Sequence, residues 1–578
     1  MSASISKRTC YILIAILVIG AVIRFWNLTG PDLNGDDALY SVRAVHYFDY
    51  IGSTNTQTTP YVWFSEHAWW QGLSFHDAPP FVFLVQRVFF SVFGDSIFVA
   101  RLPFVIAGLF SIWGMFLLVK QFSNERAGLI AAALFAIMNY TVWISRIGYL
   151  DGFVMLFVIF SLYFFMRARE NPRYYYLWGI CSGLGLLSKY TFLFMGLVFL
   201  VALLFLRRDA WRKKEFYLGI FIILILFSPV IIYNFMMYKT RGHFDAAFST
   251  MAGQHPDDFY ILTRSAKGNF DVVTVTKAIF AQMSLPFVLF FVLSFIIPLF
   301  YLRKIKREEW VFYVLIGLFS ALLMLTILGG GERFSVITLP FLVLLAAQSA
   351  YMLFESRKSL KPVFMFALAP VILWEGLFMT QSELMPTPIV DNPFFVKTVR
   401  PTWYGYHEIE RYTHQFYKEH PERSYIVFAQ SPQIRNYQIK LLQKIYDSGK
   451  DGPQQEHLLV YDDRIDWSAS VWMFERRRLY DVAAIPSLSN LLEAIDGHYI
   501  DKFLEFGFKD ASVIVATDDV PYNSILDANS TIEGERLQAF AKKITARYTP
   551  VDSIKGSSGA VIANVFLLPL DEQLYALK

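Results

Sequence analysis

The hydrophobic positions of this chain run in long unbroken stretches. Segments of about twenty apolar residues, the length that crosses a hydrocarbon core, begin with Cys10 to Trp26. They recur near Ile97, Ala127, Gly152, Tyr174, Thr191, Phe216, Val272, Trp310, Ser335 and Pro362. The pattern predicts eleven membrane helices. Lys7 and Arg8 precede the first run as in a signal peptide, but no small-residue cleavage site follows. The run ends in Arg24-Phe-Trp, which reads as an interfacial anchor. Beyond about residue 380 the apolar runs shorten to strand length, at 424–429, 457–461, 511–516 and 561–568, with helical patterning such as 537–544 between them. The predicted organisation is a membrane domain over 1–380, with a long first loop at 27–80, and a small α/β domain over 381–578.

Composition agrees with a lipid environment. Of 578 residues, 55% are hydrophobic and 17% charged, against about 45–50% and 25% in soluble domains. A soluble enzyme, a fibrous repeat and a disordered chain are excluded as whole-chain readings, and a net charge of +4 is too small to suggest nucleic acid. Cys10 and Cys181 both lie in apolar stretches, so they offer no disulfide scaffold. The placement of charge says more than its sum. Lys/Arg clusters at Lys7/Arg8, Lys120/Arg126, Arg167–Arg173, Arg207–Lys214, Arg303–Arg307 and Arg357–Lys361 fall at every second connection. The positive-inside rule then puts the N-terminus in the cytosol. The loop 27–80 holds Asp32, Asp36, Asp37, Asp49, Glu66 and Asp77 with Arg43 as its one Lys or Arg, and it faces outward. With an odd number of spans, the α/β domain is extracytoplasmic too.

Chemistry-bearing residues gather on that outward side. In Pro31-Asp-Leu-Asn-Gly-Asp-Asp-Ala-Leu-Tyr40 two adjacent carboxylates precede a predicted helix running from Asp37 to about Asp49, and a second, interfacial helix is expected from Pro79 to Phe93. The plain reading is that Asp36 is an N-cap and Asp37 complements the helix dipole. The functional reading is a general base held at the membrane surface. It would need some offset to the dipole, which lowers a carboxylate pKa. Asp151 stands at the outer end of one span near Arg146 at the end of another, where a plain salt bridge would suffice. Lys189 interrupts two apolar runs at an outward turn, where the charge bias disfavours lysine, and Arg333 follows Gly329-Gly-Gly-Glu at another. Outward cations near carboxylates suit an anionic headgroup such as phosphate.

Taken in order, these segments resemble the GT-C membrane glycosyltransferases, specifically the group with protein O-mannosyltransferases and the lipid A aminoarabinose transferase. The resemblance covers about residues 10–350. It is carried by Gly35-Asp-Asp-Ala-Leu-Tyr40, His76-Asp-Ala-Pro-Pro-Phe, Phe93-Gly-Asp-Ser-Ile-Phe-Val-Ala-Arg101, Glu125-Arg-Ala-Gly-Leu, Ser145-Arg to Asp151, Gly183-Leu-Gly-Leu-Leu-Ser-Lys189-Tyr and Glu332-Arg-Phe to Pro340. It implies an enzyme that takes one sugar from a polyprenyl-phosphate carrier at the outer face and attaches it to an acceptor. It also implies Asp36 as the catalytic acid with Asp37 beside it, Asp151 as a second acid, and Lys189 and Arg333 at the carrier phosphate. Arg146 and His76 are further candidates there, and Tyr40 and Asp77 are loop residues near the acceptor. The chain departs from the pattern in having Asp-Asp for the commoner Asp-Glu. Leu39 and Ala78 also stand where the aminoarabinose transferase has Arg and Lys.

Such a transfer displaces the anomeric carbon from phosphate. Charge grows on the leaving oxygens, where Lys189 and Arg333 would stabilise it, while Asp36 takes the acceptor hydroxyl's proton and the anomeric configuration inverts. A monophosphate leaving group permits a divalent metal without demanding one. His76, Asp77 and the Asp36/Asp37 pair could hold it, but their spacing fits no firm metal template. The acceptor could be a protein, a lipid or a glycan. Three alternatives stand beside this reading. A transporter or flippase of lipid-linked sugars would show paired halves, and no internal repeat is visible. An oligosaccharyltransferase would need a Trp-Trp-Asp motif in the outer domain, whereas Trp69-Trp70 precedes Gln71 in the first loop. A structural scaffold would leave the aligned ionisable residues unexplained.

Overall fold

Polar residues flanking the apolar runs fix where the helices start. The computed structural model describes residues 5–49, 68–254, 256, 272–300, 308–329, 331–356, 361–420, 439, 443, 447, 456–481, 483–517, 531–556 and 559–577. Ser6 caps α1 (Lys7–Phe25), its hydroxyl accepting from the Thr9 N–H at 3.2 Å. Next come α2 (Gly35–His46), α3 (Phe81–Phe93), α4 (Ile97–Phe122) and α5 (Glu125–Ile137). Ser96 caps α4 and Asn124 caps α5 in the same way. The chain continues with α6 (Asn139–Arg146), α7 (Asp151–Arg167), α8 (Tyr174–Ser188), α9 (Phe194–Phe205) and α10 (Lys214–Arg241). Then follow α11 (Leu285–Phe300), α12 (Glu309–Leu328), α13 (Leu339–Ser356) and α14 (Lys361–Met379). The chain divides into two units, the first holding Met1–Leu28 and His67–Arg400, the second Thr29–Gly52 and Pro401–Lys578.

Among the described residues of the first unit, six helices are long and apolar enough to cross a membrane, seven if the bent pair α5–α6 is one span. The chain is a multi-pass membrane protein. The runs expected near Gly152 and Tyr174 are the helices α7 and α8, of 17 and 15 residues. The run expected from Val272 is two pieces, Val272–Phe280 and α11, separated at Gln282–Ser284. Helices α8 and α10 meet glycine to glycine. A Cβ added to Gly179 would lie 2.4 Å from the Gly219 carbonyl oxygen, so only a bare backbone permits this approach.

The bend between α5 and α6, 61° at Met138, takes the carbonyls of Phe135 and Ala136 out of the helical ladder. Arg24 donates to both, at 3.2 and 3.0 Å, and the Thr141 hydroxyl donates to Phe135 at 2.6 Å. Arg24 is fully buried and is therefore not the interfacial anchor that its place beside Phe25 and Trp26 suggested. A guanidinium's five donors match the unpaired carbonyls of helix ends, and lipid offers no water to replace them. Glu375 on α14 does the converse for helix starts. Its buried carboxylate accepts from the backbone N–H of Asn139, at 2.8 Å, and of Ser284, at 2.9 Å, where the helix dipole favours negative charge.

The second unit contains a four-stranded sheet, of β1 (His457–Val460), β2 (Asp510–Ala516), β3 (Asp552–Lys555) and β4 (Val561–Pro569), in the order β1-β2-β4-β3. β1 and β2 are parallel, with Leu458 opposite Ala511, and the other pairs are antiparallel. Leu458, Val460, Val513, Val515 and Phe566 form a core with Leu491, Ile495, Phe540 and Ile544 from helices 488–496 and 531–547. Three of the four expected strands are present, and the segment 424–429 lies outside the described residues. The start of the acidic loop is built into this unit. Asp32 is buried and accepts from the backbone N–H of Tyr404 at 2.5 Å and of Gly405 at 3.2 Å, while its own N–H donates to Thr402 at 2.9 Å.

Beyond β1, burial pushes the Asp463 carboxyl up to about 7, and the neighbouring Asp462 adds to the rise. The folded state therefore favours the protonated acid. Stability from this group is fully present below about pH 4 and is lost as pH rises to about 7, with a slope of up to roughly 1.4 kcal/mol per pH unit. Thermal unfolding of the full chain between pH 5 and 8 should show this fall, and Asp463→Asn should flatten it. An unchanged slope in that variant would remove Asp463 as its source.

Candidate active site

Lys189 and Arg333 come from turns that are 144 residues apart and converge on one carboxylate. Lys189 follows the last residue of α8, where the chain extends before a 3-10 turn at Tyr190–Leu193. Arg333 lies in the short helix Glu332–Ser335 after the glycine turn. Asp151 opens α7 and is fully buried. Its oxygens accept from the Lys189 ammonium at 2.8 and 2.6 Å, and one also accepts from Arg333 Nε at 3.3 Å. The side chains of Lys189 and Arg333 keep 13% and 25% of their surface exposed. Both stand over the Phe334 ring, at 4.8 and 5.5 Å from its centroid. The carboxylate thus fixes both cations, and each keeps part of its side chain exposed. Lysine ammonium and arginine guanidinium groups fixed in this way carry N–H donors of the kind that pair with a tetrahedral oxyanion.

Arg146 is not on Asp151. It donates to the carbonyls of Ile23, Arg24 and Trp26 at 3.0, 2.9 and 2.7 Å, and to Asn27 at 3.3 Å. It is 5% exposed, and those bonds tie it to the end of α1, so its place at the phosphate gives way to a capping role. His76 is buried, and its carbonyl accepts from the Ala246 N–H at 2.8 Å. Asp77 beside it is half-buried. Among the described residues, no three His, Cys, Asp or Glu side chains gather as a metal site.

Asp36, Asp37 and Tyr40 belong to the second unit, on α2. Asp36 is not the N-cap of α2. Asn34 is the N-cap, and Gly35 is the first helical residue, with φ +58°, a left-handed conformation that glycine accepts without strain. The Gly35 N–H donates to the Ser468 hydroxyl at 2.6 Å, and Asp36 and Asp37 sit in the first turn. Asp37 and Tyr40 are buried, whereas Asp36 is half-buried. Of the two acids, Asp36 is the one a substrate could reach.

Nothing in the sequence singled out Asp245. It caps the helix Ala246–Met251 and is buried, accepting from the Tyr190 hydroxyl at 2.6 Å and from Asn234 Nδ2 at 3.0 Å. Burial pushes its carboxyl up to about 6. Because Tyr190 adjoins Lys189, this contact holds the backbone from which Lys189 projects.

A family profile described as dolichyl-phosphate-mannose-protein mannosyltransferase matches residues 77–233, which include Asp77, Arg146, Asp151 and Lys189. ArnT from Cupriavidus metallidurans in the apo state is similar across 98% of this chain and 99% of its own, with a TM-score of 0.54 and 12% identity. The same protein bound to undecaprenyl phosphate gives 0.51 and 12%, over 99% of each chain. The Archaeoglobus fulgidus oligosaccharyltransferase tethered to an acceptor peptide gives 0.45 and 15%, over 99% of this chain and 77% of its own. No curated protein sequence gives a significant match. The chain has the GT-C fold.

Proposed function

We propose that the protein is a membrane glycosyltransferase that moves a single sugar from a polyprenyl-phosphate carrier to an acceptor hydroxyl at the outer face, with inversion. The observation that carries this reading is the convergence of Lys189 and Arg333 on Asp151, which prepares two cations for one phosphate. The family profile and the ArnT bound to undecaprenyl phosphate support a lipid-phosphate ligand. As the sugar leaves, charge accumulates on the phosphate oxygens. Donors already in place stabilise it without reorganising, and a water-poor site strengthens them. Asp36 is the base that accepts the hydroxyl proton as the acceptor attacks, and Asp37 supports it from the same helical turn. On this reading the N-terminus is cytosolic, and the loop and the C-terminal unit are extracytoplasmic.

The test is product release. Protein in liposomes, given a polyprenyl-phosphate sugar and a membrane extract as acceptor pool, should liberate free polyprenyl phosphate, read by mass spectrometry. Movement of intact lipid-linked sugar between leaflets without that release would make the protein a transporter. Release of polyprenyl pyrophosphate from a glycan-bearing carrier would make it an oligosaccharyltransferase.

A further inference from the structure

A second polar cluster of the first unit adjoins the phosphate-facing pair and has no part in the chemistry above. It draws on segments far apart in the chain: Trp143 on α6, Tyr149 in the turn before α7, Gln282 in the break before α11, Glu332 beside Arg333, and Glu383 and Lys397 after α14. The Gln282 side-chain N–H donates to the Glu332 carboxylate. Lys397 donates to Gln282 Oε1 at 3.2 Å, and its ammonium pairs with Glu383 at 2.5 Å. The same ammonium lies 5.2 Å from the Trp143 ring centroid. Trp143 meets Tyr149 edge to face at 5.8 Å, and the Arg333 guanidinium lies 5.1 Å from the Tyr149 ring. The contacts therefore close a circuit that begins and ends at Glu332-Arg333. The Tyr140 hydroxyl, donating to the Glu332 carbonyl, fixes the backbone there.

The members divide by exposure. Gln282, Glu383 and Lys397 are buried, and Lys397 bonds to Gln282 and pairs with Glu383, so they form a frame. Trp143, Tyr149 and Glu332 are half-buried and keep surface to offer. An aromatic face carries partial negative charge and receives the C–H face of a sugar ring. An ionised carboxylate only accepts hydrogen bonds, so it takes hydroxyl or ammonium donors and repels another carboxylate. Few polar groups set against aromatic walls are the usual lining of a small-molecule site.

We propose that Trp143, Tyr149 and Glu332 form the subsite for the transferred sugar. The sugar is one that presents hydroxyl or ammonium donors rather than a uronic acid, and its phosphate goes to Lys189 and Arg333. This rests on the transfer reaction proposed above.

Binding of three probes to the full chain in nanodiscs tests it: bare polyprenyl phosphate, a polyprenyl-phosphate hexose and a polyprenyl-phosphate uronic acid. The native protein should prefer the hexose carrier to the bare one by about tenfold and reject the uronate. Trp143→Ala and Glu332→Gln should erase most of the hexose preference while affinity for the bare carrier stays within about twofold. Glu332→Gln should also narrow the gap to the uronate, and Trp143→Phe should keep part of the preference. Variants that retain the full preference, or lose all probes equally as a purely structural frame would, overturn the subsite. A native protein that binds none of the probes overturns instead the reaction on which it rests.

Discussion

Asp36→Asn should lower turnover by about 10²–10⁴-fold, the usual contribution of a positioned general base, with carrier binding unchanged. Asparagine is nearly isosteric but cannot accept the acceptor's proton, so the loss should appear in kcat and not in KM for the carrier. Each tenfold is about 1.4 kcal/mol of barrier, so the expected effect is several kcal/mol. The structural cost is far smaller. Asp36 is half-buried in the first turn of α2, where removing a negative charge forfeits about 0.3–1 kcal/mol of helix-dipole stabilisation. Rate and stability should therefore separate cleanly, and thermal unfolding of the variant should sit near the native value. Full activity in Asp36→Asn would eliminate it as the base. Asp37, buried one position further, should respond in the opposite sense, with a substitution there acting on stability more than on kcat.

The second large effect concerns the cation pair. Lys189→Met removes the donor that makes both short contacts to Asp151, leaving a fully buried carboxylate with Arg333 Nε at 3.3 Å. Breaking one side of a buried pair costs about 3–5 kcal/mol, so the variant should unfold at lower temperature. It should also bind polyprenyl phosphate about 10–100-fold more weakly, since a charge-assisted hydrogen bond contributes about 1.5–3 kcal/mol. The double variant Lys189→Met/Asp151→Asn separates these consequences. Neutralising the stranded carboxylate should restore much of the stability, while phosphate binding and turnover stay lost. Restored turnover in the double variant would mean that Lys189 serves only to neutralise Asp151.

The sequence made some of this visible and hid the rest for physical reasons. Asp151, Lys189 and Arg333 stood out because an ionisable residue at the end of an apolar run is costly enough to demand a purpose. The pair Asp36/Asp37 stood out through its place at a helix start. Arg24 and Arg146 looked equally conspicuous, yet their purpose was to satisfy carbonyls that a bend and a helix end leave open, and no residue pattern announces an unpaired carbonyl. Gln282, Glu383 and Lys397 sit in stretches where polar residues are ordinary. Their significance lies in Lys397, already paired with Glu383, meeting Gln282 across more than a hundred positions. Asp245 was hidden in the same way, since its partner Tyr190 is an ordinary aromatic until the fold brings the two together.

Asp32 has a bearing on how the protein tolerates being shortened. One carboxylate oxygen of this residue accepts from the backbone N–H groups of both Tyr404 and Gly405, and the helix that follows starts on Ser468. The entry to the first turn carrying Asp36 is thus moored at Asp32 and at Gly35 by residues from the C-terminal portion. A version cut back to the helical bundle would keep the candidate spans among the described residues and the whole Lys189–Arg333–Asp151 cluster, but it would set the proposed base Asp36 adrift. The C-terminal portion is in this sense a splint for residues near the start of the chain, and its removal should abolish the proposed transfer activity, read as polyprenyl phosphate release.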